Sequence, residues 1–288
     1  YLAQNRVCYD LMVIYRELPR EGFDTLQMLD LLGISRTKLE RALRNARMSP
    51  RIPYMVTNFI SSEVKLRFDE NDFPGFYTVY RTIRSYPRKI GGNLLGDVGE
   101  INERQLKMKR YADYRSGDYV GQSGVEKAYE EELRGKKGVK IMEKDTHGVV
   151  KGSYMDGMFD SLPEPGNYIV TTIDARLQAF TEELMRGKVG AAVAIEPSTG
   201  EILMMVSSPT FDPDEMVGRH RGNNYMKMLY NKRQPMFNRA VKAKYPPGST
   251  FKLVQGLIGL QEGVLTPADR YSCNGGFRYG HRMMKCHA

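Results

Sequence analysis

Two apolar runs in the second half of the chain constrain its fold more than any other feature. Residues 191–195 (AAVAI) and 201–206 (EILMMV) have the composition of strands, and residues 196–200 separate them. Pro197 suits the first central position of a type I turn, and Gly200 can take the positive φ that closes a bulged hairpin. Because both runs are apolar on both faces, we predict a hairpin inside a layered α/β body.

The first half of the chain mixes strand and helix patterns. Residues 9–15 and 76–83 are rich in β-formers and predict two strands. Asp24 can start a helix that Gly33 ends, and Ser35 can start the next one. Residues at helical spacing form the apolar face of that second helix: Leu39, Ala42, Leu43 and Ala46. Residues 125–133 predict a short helix with a mostly charged exterior.

A segment rich in glycine and proline divides the sequence. Residues 157–166 contain Pro163 and Pro165 and are typical of a linker. After it, Asp174 can start a helix that runs to Gly187, with Leu177, Phe180 and Leu184 on one side. We therefore predict a mixed fold, α+β with α/β character, in two domains that cover residues 1–165 and 166–288.

Charge and composition exclude several classes. The 288 residues carry 43 Lys and Arg against 34 Asp and Glu, a net charge of +9, but the basic residues are spread along the chain without a nucleic-acid-binding motif. We therefore expect no nucleic-acid partner. No run approaches the roughly 18 apolar residues of a membrane span. Because the chain starts at Tyr1, we expect any membrane anchor or export signal to precede the residues given.

The residues that indicate chemistry lie in the segment 245–252 (YPPGSTFK). Proline fits the first turn of a helix, so the Pro-Pro-Gly entry predicts a helix with Ser249 in its first turn and Lys252 on the same face. The following residues 253–260 are apolar nearly all round, which predicts a buried helix. A partly desolvated lysine near the positive end of the helix dipole can act as the base that a serine nucleophile needs.

A Ser-x-x-Lys spacing alone is weak, because the chain contains two others, at Ser35 and Lys38 and at Ser62 and Lys65. Both of those serines are predicted to start amphipathic helices. The Pro-Pro-Gly entry and the apolar run distinguish Ser249 from them.

The segment 245–252 resembles the active-site segment of penicillin-binding proteins, serine acyltransferases that cross-link the bacterial cell wall. Residues 194–203 (AIEPSTGEIL) resemble the hairpin that opens their transpeptidase domain, and residues 238–240 (NRA) precede the nucleophile as in the family. Residues 84–87 (RSYP), 95–99 (LGDVG) and 121–126 (GQSGVE) are similar to the pedestal motifs of class B members. Residues 73–76 (FPGF) and 211–213 (FDP) add a resemblance to the elongation-type subfamily, penicillin-binding protein 2.

The resemblance implies a fold and a reaction. An elongated, non-catalytic pedestal domain is expected first, followed by the first part of a transpeptidase domain of the serine β-lactamase type. Ser249 would attack the penultimate carbonyl of a D-alanyl-D-alanine stem peptide of peptidoglycan, Lys252 would take its proton, and the amine of a neighbouring stem would complete the cross-link. β-Lactams would be trapped at Ser249.

The resemblance also implies a location and partners. A position at the periplasmic face of the inner membrane is expected, with an N-terminal anchor and a membrane glycan polymerase of the SEDS type bound through the pedestal. The alternative to an enzyme is a non-catalytic scaffold or docking module of the elongation machinery.

Two motifs of the family have no clear counterpart. No Lys-Thr-Gly or Lys-Ser-Gly occurs, and the Ser-x-Asn at Ser272 and Asn274 follows Ser249 by only 23 residues and is typical of a turn. We therefore expect residues 1–288 to be incapable of turnover on their own.

Cys273, His281, Cys286 and His287 cluster near the end of the chain. Zinc binds such residues in tetrahedral sites, and in an oxidising compartment Cys273 and Cys286 can pair instead. Zinc, a disulfide and neither remain open alternatives, and no other cofactor is expected. His147 and His220 are expected in solvated loops, and Cys8 in a buried strand.

Overall fold

The computed structural model describes residues 1–20, 22–146 and 150–286. The chain forms two compact units, residues 1–242 and 243–288. The first contains sheets and helices in a mixed α/β arrangement, as the sequence predicts. Within the described residues, no helix combines the length and the apolarity that crossing a bilayer requires. The predicted family-domain boundary after residue 165 stays a prediction.

A three-stranded antiparallel sheet begins the first unit. Its strands are β1 (Gln4–Val13), β2 (Tyr54–Ile60) and β3 (Phe76–Ser85), in the order β2-β1-β3. Three helices accompany it: α1 (Thr25–Leu32), α2 (Arg36–Met48) and α3 (Ser62–Asp69). The core between sheet and helices includes Leu11, Val13, Met28, Leu39, Val56 and Phe68. Both predicted strands are confirmed, although β1 begins earlier than expected and ends before Tyr15.

The predicted helix starts and stops are confirmed by hydrogen bonds. The side chain of Asp24 accepts from the backbone N–H of Gln27, and Gly33 ends α1 with φ 57°. The Ser35 side chain accepts from the N–H of Lys38 at the start of α2. At α3, however, the capping residue is Ser61 rather than Ser62.

A second group of short elements follows in the first unit. The helices are α4 (Gly92–Leu95), α5 (Glu103–Leu106), α6 (Gly124–Ala128) and α7 (Glu130–Leu133), and β4 (Val98–Glu100) pairs with β5 (Tyr119–Gly121). The single charged helix predicted over 125–133 is wrong: the backbone breaks at Tyr129, where φ is −110°, and both Glu126 and Glu130 are buried. The hydrogen-bond partners of Glu126, described below, explain its burial.

The predicted linker pairs with the segment that precedes it by antiparallel bridges at Lys136–Glu164 and Val139–Ser161. Between them, β6 (Met142–Lys144) pairs with β7 (Val150–Ser153).

The next helix, α8 (Ala175–Leu184), begins at Asp174 as predicted, but it buries Gln178 and Thr181 and exposes Phe180 and Leu184. The Gln178 amide explains the difference, because its oxygen accepts from the N–H of Met205 and its nitrogen donates to the Met205 carbonyl, both at 2.9 Å.

The predicted hairpin is confirmed as β8 (Gly190–Ile195) and β9 (Ile202–Ser208), with Gly200 at φ 79°. Its predicted burial on both faces is wrong, because Val193 and Ile195 are exposed and the sheet has only two strands among the described residues. Helices α9 (Arg221–Leu229) and α10 (Arg239–Lys242) complete the first unit. The second unit contains α11 (Phe251–Gln261) and a hairpin of β10 (Gly276–Tyr279) and β11 (Arg282–Lys285).

Candidate active site

Ser249 lies in a single 3-10 turn, Gly248–Thr250, that leads directly into α11. Gly248 has φ 58°, and among the described residues no packed atom lies within 4 Å of the point that a Cβ would occupy. The backbone conformation, rather than lack of space, therefore favours glycine here. The Thr250 hydroxyl donates to the carbonyl of Pro247 at 2.6 Å and stabilises the turn. Lys252 is the second residue of α11, one helical turn after Ser249.

The predicted burial of this helix is wrong in this structure. Ser249 and Lys252 are exposed, and so are the apolar side chains of Leu253, Leu257 and Ile258. Gly259 is the buried residue of α11, where it packs against Leu265. The physical reason is that the described residues of the second unit form this helix, the 3-10 turn before it, loops and one hairpin, and these leave the apolar side chains of the helix exposed. The roles of Ser249 and Lys252 stay predictions.

The other sequence-predicted groups of the second unit are also exposed. Ser272 and Asn274 lie in the irregular segment before β10, as expected of a turn. Cys273 and Cys286 flank the base of the β10–β11 hairpin, whereas His281 lies in the turn at its tip. Four strand residues separate tip and base, roughly 13 Å.

The hairpin therefore keeps His281 away from the two cysteines. Among the described residues, no group of three or more potential metal ligands is brought together. His287 lies outside the described residues. Zinc, a disulfide and neither stay the three alternatives for this cluster.

The remaining predicted residues lie in the first unit or outside the description. Cys8 is buried in β1 as expected, and burial, with the nearby Asp10 carboxylate, raises the pKa of its thiol to about 11. His220 is exposed at the end of a 3-10 turn. His147 lies outside the described residues.

Three motifs of the first half meet in one cluster. Arg84 donates to both carboxylate oxygens of Glu126, at 2.8 and 3.0 Å, and the Tyr86 hydroxyl donates to the same carboxylate at 3.1 Å. Burial, followed by the Glu126 charge, raises the pKa of Tyr86 far above its usual range. The Ser123 hydroxyl donates to Asp97 at 2.7 Å. The motifs at 84–87, 95–99 and 121–126 therefore form one polar core.

Residues from the second half complete this polar core, and sequence reasoning missed them. Asp214 accepts from the backbone N–H of Tyr86 at 2.9 Å. Arg221 donates to the Asp97 carboxylate at 2.5 Å and to the Val98 carbonyl at 3.1 Å. Asp214 and Arg221 lie shortly after the 211–213 motif in the sequence. Their partners lie more than 120 positions earlier, and no sequence pattern indicates that these residues would pair.

Arg219 makes a similar long-range connection. It donates to the carbonyl of Leu32 at the end of α1, at 3.1 Å, and to that of Asn58 in β2, at 3.4 Å. Burial lowers the pKa of this guanidinium. The Asn93 side chain in α4 donates to the carbonyl of Pro235, and the Asn238 side chain just before α10 donates to the carbonyl of Asn93.

Comparison with known families separates the chain into two matched regions. Residues 1–171 match the penicillin-binding protein dimerisation domain, and residues 190–288 match the penicillin-binding protein transpeptidase domain. The chain belongs to the penicillin-binding protein family. Because the dimerisation domain comes first, and because the relatives below agree, the predicted kinship with class B members of the penicillin-binding protein 2 type is confirmed.

Curated relatives carry the name peptidoglycan D,D-transpeptidase MrdA. The protein from Acinetobacter baumannii is 34% identical over 244 residues, which cover 84% of this chain and 35% of the relative. That from Salmonella typhimurium is 31% identical over 277 residues, which cover 92% of this chain and 43% of the relative. This chain thus spans about two fifths of the length of these relatives.

Solved structures share the fold. In the complex between penicillin-binding protein 2 and MreC from Helicobacter pylori, one chain matches with a TM-score of 0.73 and 24% identity, over 99% of this chain and 54% of the other. A structure described as a peptidoglycan synthase complex that coordinates polymerization and crosslinking matches with a TM-score of 0.66 and 29% identity, over 100% of this chain and 49% of the other.

Proposed function

We propose that the protein to which this chain belongs is a peptidoglycan D,D-transpeptidase with Ser249 as nucleophile and Lys252 as base. The observation that supports this most directly is the placement of Ser249 in a turn at the N-terminal end of α11, one helical turn before Lys252, within the matched transpeptidase region. Neither Ser35 nor Ser62 shares this context.

The proposed chemistry is an acyl transfer through a covalent intermediate. Lys252 takes the proton as Ser249 Oγ attacks the penultimate D-alanine carbonyl of a stem peptide. The bond to the terminal D-alanine breaks, and that residue leaves with a proton. The amine of a second stem then attacks the ester, forms the cross-link and releases Ser249. A β-lactam would acylate the same oxygen and block the second step.

Labelling with a fluorescent penicillin tests the assignment. In the full-length protein, Ser249→Ala is expected to abolish labelling and Lys252→Ala to slow it at least about a hundredfold, because a serine hydroxyl without a base is a weak nucleophile. The matched control is Ser62→Ala, which removes a hydroxyl with the same spacing to a lysine and no capping role. Equal labelling of Ser249→Ala and the parent would contradict the nucleophile.

The scaffold alternative gives a different result in the same assay. If the protein only docks other components, the parent protein will not label at all while it still folds. The large polar core in the dimerisation region, which Asp214 and Arg221 complete, is the observation that favours a structural role for that half.

We also propose that residues 1–288 alone are not acylated. In this chain Ser249 and Lys252 are both exposed, so water is not excluded from the reacting groups. Stable penicillin labelling of the isolated chain, measured by intact mass, would contradict this prediction.

The comparisons support a proposed setting for the enzyme. The MrdA relatives and the match to a peptidoglycan synthase complex favour a position at the periplasmic face of the inner membrane and a SEDS-type glycan polymerase as partner of the dimerisation region. Co-purification of the full-length protein with such a polymerase, with and without Arg84→Ala, tests the partnership.

A further inference from the structure

A cleft of about 520 Å³ lies in the first unit, lined mostly by residues of the dimerisation region. Its lining combines residues of the first sheet, among them Phe59 of β2 and Thr82 of β3, with residues of the segment between Asp113 and Lys137. Its volume is in the range of cavities that hold small ligands, about 300 to 1,000 Å³. Neither proposed catalytic residue lines it.

Three aromatic residues line the cleft, Phe59, Tyr114 and Tyr119, and Phe59 has a strained backbone. The rings of Phe59 and Tyr119 meet edge to face with centroids 6.0 Å apart. Phe59 has φ 56°, a conformation that bulky residues avoid. Strained backbone of this kind clusters at functional sites, where the surrounding structure holds it in place.

The buried Asp10 carboxylate, which pairs with a partly exposed arginine, holds Phe59 in place. The Phe59 N–H donates to the Asp10 carboxylate at 3.2 Å, and Asp10 pairs with Arg81 at 2.7 Å. The Arg81 guanidinium lies 5.7 Å from the centroid of the Phe59 ring and 5.6 Å from that of Tyr119, a cation–π arrangement with both. The position of the two rings is therefore fixed by the protein before any ligand arrives.

The charged groups along the cleft are engaged within the protein: the buried Glu130 carboxylate accepts from the Tyr114 hydroxyl and the Gly121 N–H, and the others form ion pairs. Arg84 pairs with Glu126 and Arg134 with Asp113, and Lys137 pairs with Asp118. A charged ligand would have to break one of these pairs and leave its partner uncompensated, which is costly for the buried Glu126. The cleft is therefore suited to an uncharged ligand.

We propose that this cleft binds an uncharged saccharide of the N-acetylated hexosamine type. The C–H face of a sugar ring packs on aromatic side chains, as it would on Phe59 and Tyr119, while its hydroxyl and amide groups need polar partners. The exposed residues Thr82 and Asn5 lie on the same lining and can supply a hydroxyl and an amide. The choice of an N-acetylated sugar rests on the proposed function, whose polymeric substrate has a glycan backbone.

Calorimetric titration of residues 1–288 tests the proposal. The probe is the β-1,4-linked tetramer of N-acetylglucosamine, with maltotetraose as the uncharged sugar of equal length. We expect saturable binding of the first sugar and at least about tenfold weaker binding of the second. Tyr119→Ala and Phe59→Gly should each weaken binding of the first sugar about tenfold, because each removes one ring.

Matched variants separate binding from folding. Phe59→Gly suits the positive φ, so it removes the ring without adding backbone strain. Tyr77→Ala, which truncates an exposed aromatic residue of β3 that does not line the cleft, should bind like the parent. Urea midpoints establish that each variant folds. Thr82→Val should weaken binding about threefold, because one hydroxyl partner of the sugar is lost.

Three results would overturn the proposal. They are no saturable binding by the parent chain, unchanged affinity in both folded ring variants, and equal affinity for maltotetraose. None of them bears on penicillin labelling at Ser249, so failure of this proposal and failure of the proposed function are distinguishable.

Discussion

At the scale of single residues, a partly buried carboxylate connects α8 to the residue that precedes α4. Glu182 of α8 accepts from the backbone N–H of Gly91 at 2.7 Å and from the Gln178 amide at 2.8 Å. Burial raises the pKa of its carboxyl above the ordinary value of 4.5, although the two hydrogen bonds oppose this shift. The folded state therefore holds this proton more tightly than the unfolded state does.

Replacement of this carboxylate tests that effect. Since the folded pKa is raised, the contribution of Glu182 to stability is most favourable at pH below 4.5 and declines as pH rises through the folded pKa. Glu182→Gln keeps an acceptor for Gly91 and removes the buried charge, so we expect a gain in the free energy of unfolding on the order of 1 kcal/mol at pH 7. Urea unfolding at pH 4 and pH 7 measures it.

The neighbouring Glu183 provides the control. It is exposed and pairs with Arg186, so Glu183→Gln should change stability by less than about 0.5 kcal/mol at either pH. If Glu182→Gln and Glu183→Gln behave alike at pH 7, burial of Glu182 has no measurable cost.

Residue-level prediction from sequence succeeded for three caps, was one residue out at Ser62, and failed for buried charges. The side chains of Asp24, Ser35 and Asp174 accept hydrogen bonds from backbone N–H groups two or three positions away. Because this capping role is local, it can be predicted from the sequence. Glu126 is buried because Arg84, 42 positions earlier, pairs with it. No local pattern distinguishes it from a solvent-exposed glutamate.

At the scale of elements, two serines that look alike in sequence have different roles. Ser35 caps α2, whereas Ser62 is the first residue of α3 behind the cap Ser61. Ser35→Ala is expected to lower the free energy of unfolding by about 1 kcal/mol, since an N–H of the first turn loses its acceptor. Ser62→Ala should change it by less than about 0.5 kcal/mol. Chemical denaturation of the two variants side by side measures the difference, and equal losses would contradict the assignment of the caps.

Element existence was predictable where period and turn chemistry agreed. The β8–β9 hairpin follows from its two apolar runs and from Gly200. The degree to which each element is buried was not predictable, because burial depends on which other elements pack against it. The same apolar residues that predicted a buried α11 are exposed in this chain, and α8 turns the polar Gln178 inward because Met205 offers both backbone groups to its amide.

At the scale of the molecule, a buried ion pair connects the regions that match the two family domains. The Asp97 side chain is only 4% exposed. It pairs with Arg221, whose side chain is 24% exposed. Arg221→Met keeps the aliphatic stem but leaves this carboxylate without its cation. We expect a loss of about 3 kcal/mol in the free energy of unfolding, as for other broken buried pairs.

Urea unfolding with a matched surface pair checks this expectation. Lys89 and Asp212 join the same two regions at 3.7 Å with the Lys89 side chain 66% exposed, so Lys89→Met should cost less than about 1 kcal/mol. A loss in Arg221→Met no larger than that in Lys89→Met would show that Asp97 is compensated by other groups.

The overall architecture was predictable through family resemblance, and its internal contacts were not. The motifs at 84–87, 95–99 and 121–126 indicated the dimerisation region. The hydrogen bonds that connect these motifs in the folded chain could not be predicted from their spacing in the sequence. Contacts of Asp214, Arg219 and Arg221 with residues more than 120 positions earlier are set by the folded topology.

The long reach of Arg219 and Arg221 has a consequence for biogenesis. A polypeptide that emerges from a ribosome or a translocation pore amino end first delivers α1, β2 and Asp97 well before the guanidinium groups that they need. Until those two arginines have emerged, the early half holds an uncompensated acid and carbonyls that lack these donors. The early half therefore reaches its final packing only after residues 219–221 have been synthesised. During that interval a holdase chaperone can protect the nascent chain.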